Sequence, residues 1–200
     1  MRFGRAVKNH DFSELGTNKI YLYQKGIITY MFQNLYPDED APSAYEIDYQ
    51  SYYDKGYRGI LFDVDNTLVE HDQPVTLVAI ALFQQLKEMG FQTCIISNNK
   101  DERVKPFAEA LESEYVYKAG KPSPKGYQEG MERMQTTPDT TLFVGDQIFT
   151  DIWGANRAGI HSILVKQIAR HEEIQIVLKR ILEKVVLAKY RRKKNGTVFL

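Results

Sequence analysis

The chain has 200 residues, of which 43% are hydrophobic and 26% are charged, and its formal net charge at pH 7 is zero. This length fits one domain with or without extensions, and the composition is that of a globular protein with a sizeable core. No apolar run approaches the roughly 18 residues of a transmembrane helix, and the N-terminus lacks the apolar segment of a secretory signal. We therefore expect a cytoplasmic protein without a membrane span.

The single cysteine, Cys94, excludes an internal disulfide bond. It lies in the apolar run TCIIS, so we predict a buried free thiol, which fits a reducing compartment.

The charges are unevenly distributed. Residues 166–200 contain ten Lys and Arg against three acids, a net +7, which leaves −7 for residues 1–165 because the whole chain is neutral. Two interpretations of the basic C-terminal tail stay open, a solvated helix end and contact with an anionic membrane.

Five short apolar runs predict strands at residues 58–63, 92–97, 114–117, 141–145 and 161–165. Most of them are continuous rather than alternating, which is typical of strands buried on both faces of a parallel sheet. Helical patterns lie between or after them, at residues 75–89, 101–111, 123–134, 151–158 and 171–188. The alternation of strand and helix predicts an α/β fold with one parallel sheet.

Right-handed crossovers place the carboxyl ends of all these strands at one edge of the sheet, where ligands bind in such folds. Polar residues follow four of the strands at this edge. They are Asp63, Asp65 and Thr67 after the first strand, Ser97, Asn98 and Asn99 after the second, Lys121 after the third, and Asp146 and Asp151 after the fourth. Each residue alone is a weak signal, but the four groups together predict a site.

These residue types suit the hydrolysis of a phosphate monoester. A carboxylate nucleophile needs a divalent cation between itself and the substrate dianion, and the phosphoryl oxygens need an ammonium and hydroxyl donors. Mg²⁺ prefers oxygen ligands. We therefore predict that Asp63 and Asp146 bind Mg²⁺ through their carboxylates and Asp65 through its carbonyl. The Asp65 side chain is then the general acid and base, while Lys121 and Ser97 hold the phosphoryl group.

The motifs DVDNT (63–67), Ser97, Lys121 and GDQIFTD (145–151) resemble those of the haloacid dehalogenase-like hydrolase superfamily over about residues 58–165. The resemblance implies a Rossmann-like core with five parallel strands in the order 5-4-1-2-3. It implies Asp63 as nucleophile, Asp65 as acid and base, Ser97, Asn98 and Lys121 as phosphate-binding residues, and Asp146 as a metal ligand supported by Asp151. An Asp at position 65 resembles the phosphatase branch.

The gaps between the motifs are too short for a cap domain, as in the capless subfamily IIIA. The segments YPDE (36–39), IISNN (95–99), GKPSP (120–124) and VGDQIFTDIWGANRAG (144–159) resemble the YqeG family of phosphatases over about residues 31–185. That family is similar to the mitochondrial phosphatidylglycerophosphate phosphatases. The resemblance therefore implies a phosphorylated lipid as one substrate, and peripheral contact of the basic tail with an anionic membrane.

We expect four parts of the chain. These are an extension at residues 1–30, an arm packing on the core at residues 31–57, the phosphatase core at residues 58–188 and a basic tail at residues 189–200. Two other functions stay open, namely a phosphatase of a soluble metabolite or phosphoprotein, and a phosphate-binding scaffold without catalysis. No nucleic-acid partner is expected, and the sequence does not give the oligomeric state.

Asp151 could also serve as a helix N-cap. His71 and Asp72 could form a surface loop or contact the substrate.

Overall fold

Six strands form the sheet of this computed structural model, which describes residues 34–169 and, beyond them, residues 184, 186–188, 190 and 191. In chain order they are β1 (Glu39–Ala41), β2 (Gly59–Phe62), β3 (Gln92–Ile96), β4 (Glu114–Val116), β5 (Thr141–Gly145) and β6 (His161–Val165). All neighbouring pairs are parallel, and the order across the sheet is β1-β6-β5-β2-β3-β4. The predicted α/β fold with a parallel sheet is confirmed.

The helices connect these strands or precede them. They are α1 (Tyr49–Asp54), α2 (Leu77–Met89), α3 (Asp101–Ala110), α4 (Pro124–Met134) and α5 (Trp153–Ala158). Short 3-10 turns lie at Ala44–Glu46 and Pro138–Thr140, and a π-helical turn, Ile148–Ile152, leads into α5. Within the described part of the chain, none of the helices is long and apolar enough to cross a bilayer.

Burial explains why the central strands read as unbroken apolar runs. Every residue of β2 and β5 is buried, because helices cover both faces of the sheet. Alternate residues of β2 point into different clusters. Ile60 and Phe62 pack with residues of α2 and the N-terminal segment, while Leu61 packs with Cys94 and Tyr127. Cys94 is fully buried, as expected.

The sheet has one strand more than the five predicted. The five predicted strands lie in the predicted order, and β1 adds a sixth, outermost strand beside β6. The sequence Glu-Asp-Ala of β1 has no apolar pattern, and its residues are mostly exposed. The pairing is held by the backbone and by Asp38, whose carboxylate accepts a hydrogen bond from the Ser162 N–H (3.0 Å). Such an edge strand leaves no periodic signal in the sequence.

The described residues before β2, which begin at residue 34, pack on one face of the core. Asp48 caps α1, and the buried rings of Tyr49 and Tyr52 belong to the same cluster as Phe62. The Tyr49 hydroxyl donates to the Ala44 carbonyl (2.8 Å), which satisfies its polar end. The tyrosine-rich composition of this segment therefore reflects packing against the sheet.

One helix start differs from the expectation. Asp151 lies inside the π-helical turn, and the N-cap of α5 is Ile152. Asp151 is therefore not the N-cap of α5. The N-cap of α3 is Lys100, while the side chains of Asn98 and Asn99 bind other groups near the strand ends. Ser123 caps α4 and is followed by a proline in the first turn of the helix.

The predicted extension at residues 1–30 lies outside the described residues. Most of the predicted long helix at 171–188 and of the basic tail at 189–200 also lies outside them. Of the described residues in that region, Val186 is buried, and the ring of Tyr190 lies 5.6 Å from the ring of Tyr36. The proposed membrane role of the tail therefore stays a prediction.

Candidate active site

The carboxyl ends of the central strands bring the predicted site residues together. Asp63 directly follows β2, and its N–H donates to the Val144 carbonyl of β5 (3.0 Å), which continues the sheet ladder by one residue. Ser97 follows β3, and Asp146 follows β5. All three are buried. Their backbone positions are thus set by the hydrogen-bonded strands at the centre of the sheet.

The ammonium of Lys121 joins two of the acids. Its Nζ lies 2.5 Å from Asp63 Oδ1 and 2.8 Å from Asp151 Oδ1, and its side chain is only 3% exposed. The second oxygen of Asp151 accepts a hydrogen bond from the Gln147 N–H (3.0 Å). Gly145 makes this approach feasible, since a Cβ there would lie 2.8 Å from Asp151 Oδ2.

Asp63, Asp146 and Asp151 form what we call the acid cluster. One carboxylate oxygen from each lies within 4.8 Å of the others, and all three residues are buried. Burial raises the pKa of Asp63 to about 7, although Lys121 counteracts part of this shift and Asp151 adds to it. For Lys121, burial acts to lower the pKa, but Asp151 and Asp63 outweigh it and raise the pKa. Three carboxylates thus lie together while Lys121 pairs with two of them, Asp63 and Asp151, and such a group of acids attracts a cation.

The Asp65 side chain lies outside the acid cluster, although Asp65 is two residues from Asp63. Its Oδ2 accepts a hydrogen bond from Asn99 Nδ2 (2.6 Å). Its Oδ1 accepts one from Arg103 (2.9 Å) and one from the Asp72 N–H (3.1 Å). We call Asn99, Arg103 and the Asp72 N–H the Asp65 clamp. The two acids of the DVDNT motif therefore have different surroundings.

Two other predicted phosphate-binding residues shape the loops around the acid cluster. Ser97 Oγ accepts a hydrogen bond from the Asn99 N–H (3.1 Å), so its own hydrogen is available for donation. The Asn98 side chain makes two bonds with the Lys121 backbone, accepting from its N–H (2.8 Å) and donating to its carbonyl (3.1 Å). The Asn98 side chain thus braces the loop that carries Lys121.

Several residues near the site were missed or left undecided by the sequence analysis. Gln167 donates to Asp146 Oδ2 (3.1 Å), and Thr67 Oγ1 donates to Asp63 Oδ2 (3.3 Å). Gln167 follows β6 at the same edge, so its position after a strand was an available signal. Arg103 lies within a helix, where no local pattern marks it. His71 and Asp72 have exposed side chains, and Asp72 reaches the site through its backbone.

No separate cap covers this edge within residues 34–169. Only a loop, α2 and β3 lie between the DVDNT motif and Ser97, and only α3, β4 and short loops lie between Ser97 and Lys121. Among these residues nothing closes the mouth of the site, as the spacing of the motifs predicts. A large or surface-bound substrate has room to approach it.

Comparison with known proteins agrees with this geometry. The family model described as a haloacid dehalogenase-like hydrolase matches residues 73–159. The protein named "Probable phosphatase YqeG" from Bacillus subtilis (strain 168) is 36% identical over 158 residues, which span 78% of this chain and 92% of that protein. The "Phosphatidylglycerophosphate phosphatase 1, chloroplastic/mitochondrial" of Arabidopsis thaliana is 31% identical over 164 residues, 74% of this chain but 45% of that protein.

Among solved structures, a haloacid dehalogenase-type phosphatase from Thermococcus onnurineus aligns with a TM-score of 0.46 at 15% identity, over 62% of this chain and 97% of that one. The family assignment rests on the sequence relatives, since the Bacillus subtilis match spans nearly the whole of that protein. The chain belongs to the haloacid dehalogenase-like hydrolases, in the family of the YqeG phosphatases.

Proposed function

We propose that this phosphatase is a magnesium-dependent phosphate monoester hydrolase that works through an aspartyl-phosphate on Asp63. The observation that carries the proposal is the acid cluster, in which three buried carboxylates lie within 4.8 Å of one another and Lys121 pairs with two of them. Buried charges without compensation are costly, so this arrangement is suited to a bound cation and an anionic substrate. The reaction requires such a site, since uncatalysed monoester hydrolysis is extremely slow.

The residues present fit Mg²⁺. Their donors are all oxygen atoms, which Mg²⁺ prefers, and the carboxylate oxygens lie within 4.8 Å of one another. We assign Asp63, Asp146 and the Asp65 carbonyl as its ligands. Both oxygens of Asp151 already accept hydrogen bonds, from Lys121 and from the Gln147 N–H, so we assign Asp151 to support. When bound, Mg²⁺ would shield the nucleophile from the negative charge of the substrate.

In the first step, an oxygen of Asp63 attacks phosphorus while the bond to the leaving oxygen breaks. Lys121 and the Ser97 hydroxyl hold the phosphoryl oxygens. Asp65 donates a proton to the leaving oxygen, which departs as an alcohol. In the second step, Asp65 removes a proton from the water that attacks phosphorus. The bond to Asp63 then breaks, which releases phosphate and regenerates both carboxyl groups.

For the substrate we propose a phosphorylated amphiphile such as phosphatidylglycerophosphate. One support is the name of the Arabidopsis thaliana relative. The other is the surface around the open site. Among the described residues, the large hydrophobic side chains that are exposed are Leu77, Val78, Tyr117 and Ile168. Each belongs to a segment that begins or ends at the carboxyl edge of the sheet, and exposed apolar groups around a site favour contact with lipid.

The chemistry is tested with p-nitrophenyl phosphate in the presence and absence of Mg²⁺. We expect turnover that EDTA removes and that Asp63→Asn abolishes, while the matched Asp139→Asn variant keeps it. Asp139 is exposed in the turn before β5, at the opposite edge of the sheet. Equal rates for wild type and Asp63→Asn would contradict the mechanism. A protein that is inactive with every divalent cation but still binds phosphate would favour the scaffold function.

The substrate is tested with phosphatidylglycerophosphate in anionic vesicles against a soluble monoester, glycerol 3-phosphate. We expect a higher kcat/KM on vesicles, and we expect Leu77→Ser to reduce that rate while p-nitrophenyl phosphate turnover is unchanged. Deletion of residues 189–200 should weaken vesicle binding at low salt. If the protein prefers glycerol 3-phosphate, or if neither Leu77→Ser nor the deletion has an effect, a soluble metabolite or a phosphoprotein is favoured as the substrate.

A further inference from the structure

Arg103 connects the predicted acid and base to two other parts of the site. It lies in the first turn of α3, and its side chain is 23% exposed. Its guanidinium lies 2.9 Å from Asp65 Oδ1 and 2.8 Å from the Gln73 carbonyl. One arginine thus joins α3, Asp65 and the loop that follows the DVDNT motif. This loop also places the Asp72 N–H on Asp65 Oδ1.

The two oxygens of Asp65 have chemically different partners. Oδ1 faces a guanidinium and a backbone N–H, which can only donate hydrogen bonds. Oδ2 faces the carboxamide of Asn99 (2.6 Å), which can present either its NH₂ group or its oxygen. A proton on Oδ1 would point at a donor, whereas a proton on Oδ2 can be accommodated. The Asp65 clamp therefore makes Oδ2 the oxygen that can carry a proton.

We propose that Arg103 is a positioning residue for Asp65, which fixes Oδ1 and leaves Oδ2 to donate and accept the catalytic proton. This inference rests on the proposed phosphatase mechanism. As the bond from phosphorus to the leaving oxygen breaks, the proton moves from Oδ2 to that oxygen and negative charge develops on the Asp65 carboxyl. Arg103 stabilises this charge in the transition state, and it keeps the carboxyl plane aimed at the leaving oxygen.

The consequence is a dependence on the leaving group. Phenolate is a strong base and needs a proton as it leaves, whereas p-nitrophenolate is a much weaker base and leaves without one. A residue that acts through the proton donor therefore affects phenyl phosphate far more than p-nitrophenyl phosphate. A residue that merely supports the fold, the metal or the phosphate affects both substrates alike, because the two molecules share the same phosphoryl group.

The experiment measures kcat/KM of the full chain with Mg²⁺ for phenyl, chlorophenyl and p-nitrophenyl phosphate, since this parameter reports the steps up to departure of the leaving group. For Arg103→Gln we expect about a 10²-fold loss with phenyl phosphate and less than about fivefold with p-nitrophenyl phosphate. Arg103→Lys, which keeps a cation, should recover part of the phenyl phosphate rate. Arg133→Gln is the matched control, since Arg133 is exposed on α4 and pairs with Glu129.

Thermal melting of each variant shows whether it folds. If Arg103→Gln does not fold, the kcat/KM values of Arg103→Lys for the three substrates test the proposal instead. Equal losses for all three substrates, or no loss for any, would overturn the proposal for Arg103 and leave the phosphatase mechanism standing. If the wild-type protein hydrolyses no aryl phosphate with any divalent cation, the proposed function fails first and this inference fails with it.

Discussion

Asp63 and Asp65 are two residues apart in the sequence, yet the structure places their side chains in contrasting surroundings. Asp63 belongs to the buried acid cluster, beside an ammonium that is 3% exposed. Asp65 belongs to a more open clamp, beside a guanidinium that is 23% exposed. The first environment suits a metal-bound nucleophile, and the second suits a group that exchanges a proton.

The role of a carboxylate is therefore set by its neighbours from other strands and helices. Two identical side chains at a strand end would repel each other if both were charged and solvated alike. The Asp63 carboxylate faces Lys121, which follows β4, and Asp151, which follows β5. The Asp65 carboxylate faces Asn99, which follows β3, and Arg103 in α3. The four changes below test this division of labour.

The largest effect is expected for Asp65→Asn, because a carboxamide cannot accept the proton of the attacking water. We expect kcat for p-nitrophenyl phosphate to fall by about 10²–10⁴-fold. The first step needs little protonation with this leaving group, so rapid mixing should show a burst of p-nitrophenol about equal to the enzyme concentration. Asp63→Asn should show no burst.

Asp139→Asn is the matched control for that change. The Asp139 side chain is exposed in the turn before β5, at the end of the sheet opposite the site. This variant should retain nearly full turnover. A burst in Asp63→Asn, or an equal loss of kcat in Asp139→Asn, would contradict the distinction between Asp63 and Asp65.

The acid cluster should depend on its ammonium for stability. Lys121→Met leaves buried carboxylates without their cation, so we expect the free energy of unfolding in EDTA at pH 8 to fall by about 3–5 kcal/mol. Urea denaturation measures it. Lys105→Met is the control, since Lys105 forms an exposed pair with Glu109 and should change stability by less than about 1 kcal/mol. Comparable losses for both would contradict the electrostatic account.

The pH dependence of the metal-free protein reports the burial of Asp63. In the folded chain its pKa is raised to about 7, whereas its ordinary value is 3.8. Between these values the folded state holds a proton that the unfolded state has released. The contribution of Asp63 to the free energy of unfolding therefore falls as pH rises from about 4 to about 7. Melting in EDTA should therefore occur at a higher temperature at pH 5 than at pH 8.

Asp63→Asn should reduce that difference between pH 5 and pH 8, because the carboxamide does not titrate, while Asp139→Asn should keep it. Mg²⁺ should raise the melting temperature most at pH 8, where the cluster carries the most negative charge. An unchanged pH profile in Asp63→Asn would show that other groups cause the dependence.

The smallest effect concerns the framework of the acid cluster. The Tyr127 hydroxyl donates to the carbonyls of Thr150 and Asp151, both at 2.9 Å, and the ring is fully buried. Tyr127→Phe leaves these carbonyls without their donor, so we expect a loss of about 1–2 kcal/mol in unfolding free energy. Tyr117→Phe, at an exposed side chain, should leave the free energy of unfolding nearly unchanged. If Tyr127→Phe also leaves it unchanged, packing alone holds this turn.

The parallel sheet, the end of the sheet that carries the candidate site and the residues of the acid cluster can all be predicted from the sequence. The physical reason is local. Continuous apolar runs specify buried strands, and right-handed crossovers bring the ends of parallel strands to one edge. Asp63, Ser97 and Asp146 directly follow such runs, so their positions could be predicted without knowing any contact between side chains.

The contacts between side chains, by contrast, depend on how distant elements pack in three dimensions. Strand β1 was missed because an exposed edge strand needs no apolar pattern and is held by backbone pairing with β6. Asn99 and Arg103 reach Asp65 across 34 and 38 positions of sequence, and Arg103 lies in a helix where arginine is ordinary. Contacts of this kind depend on packing between distant elements, which hydrophobic periodicity and motif spacing do not encode.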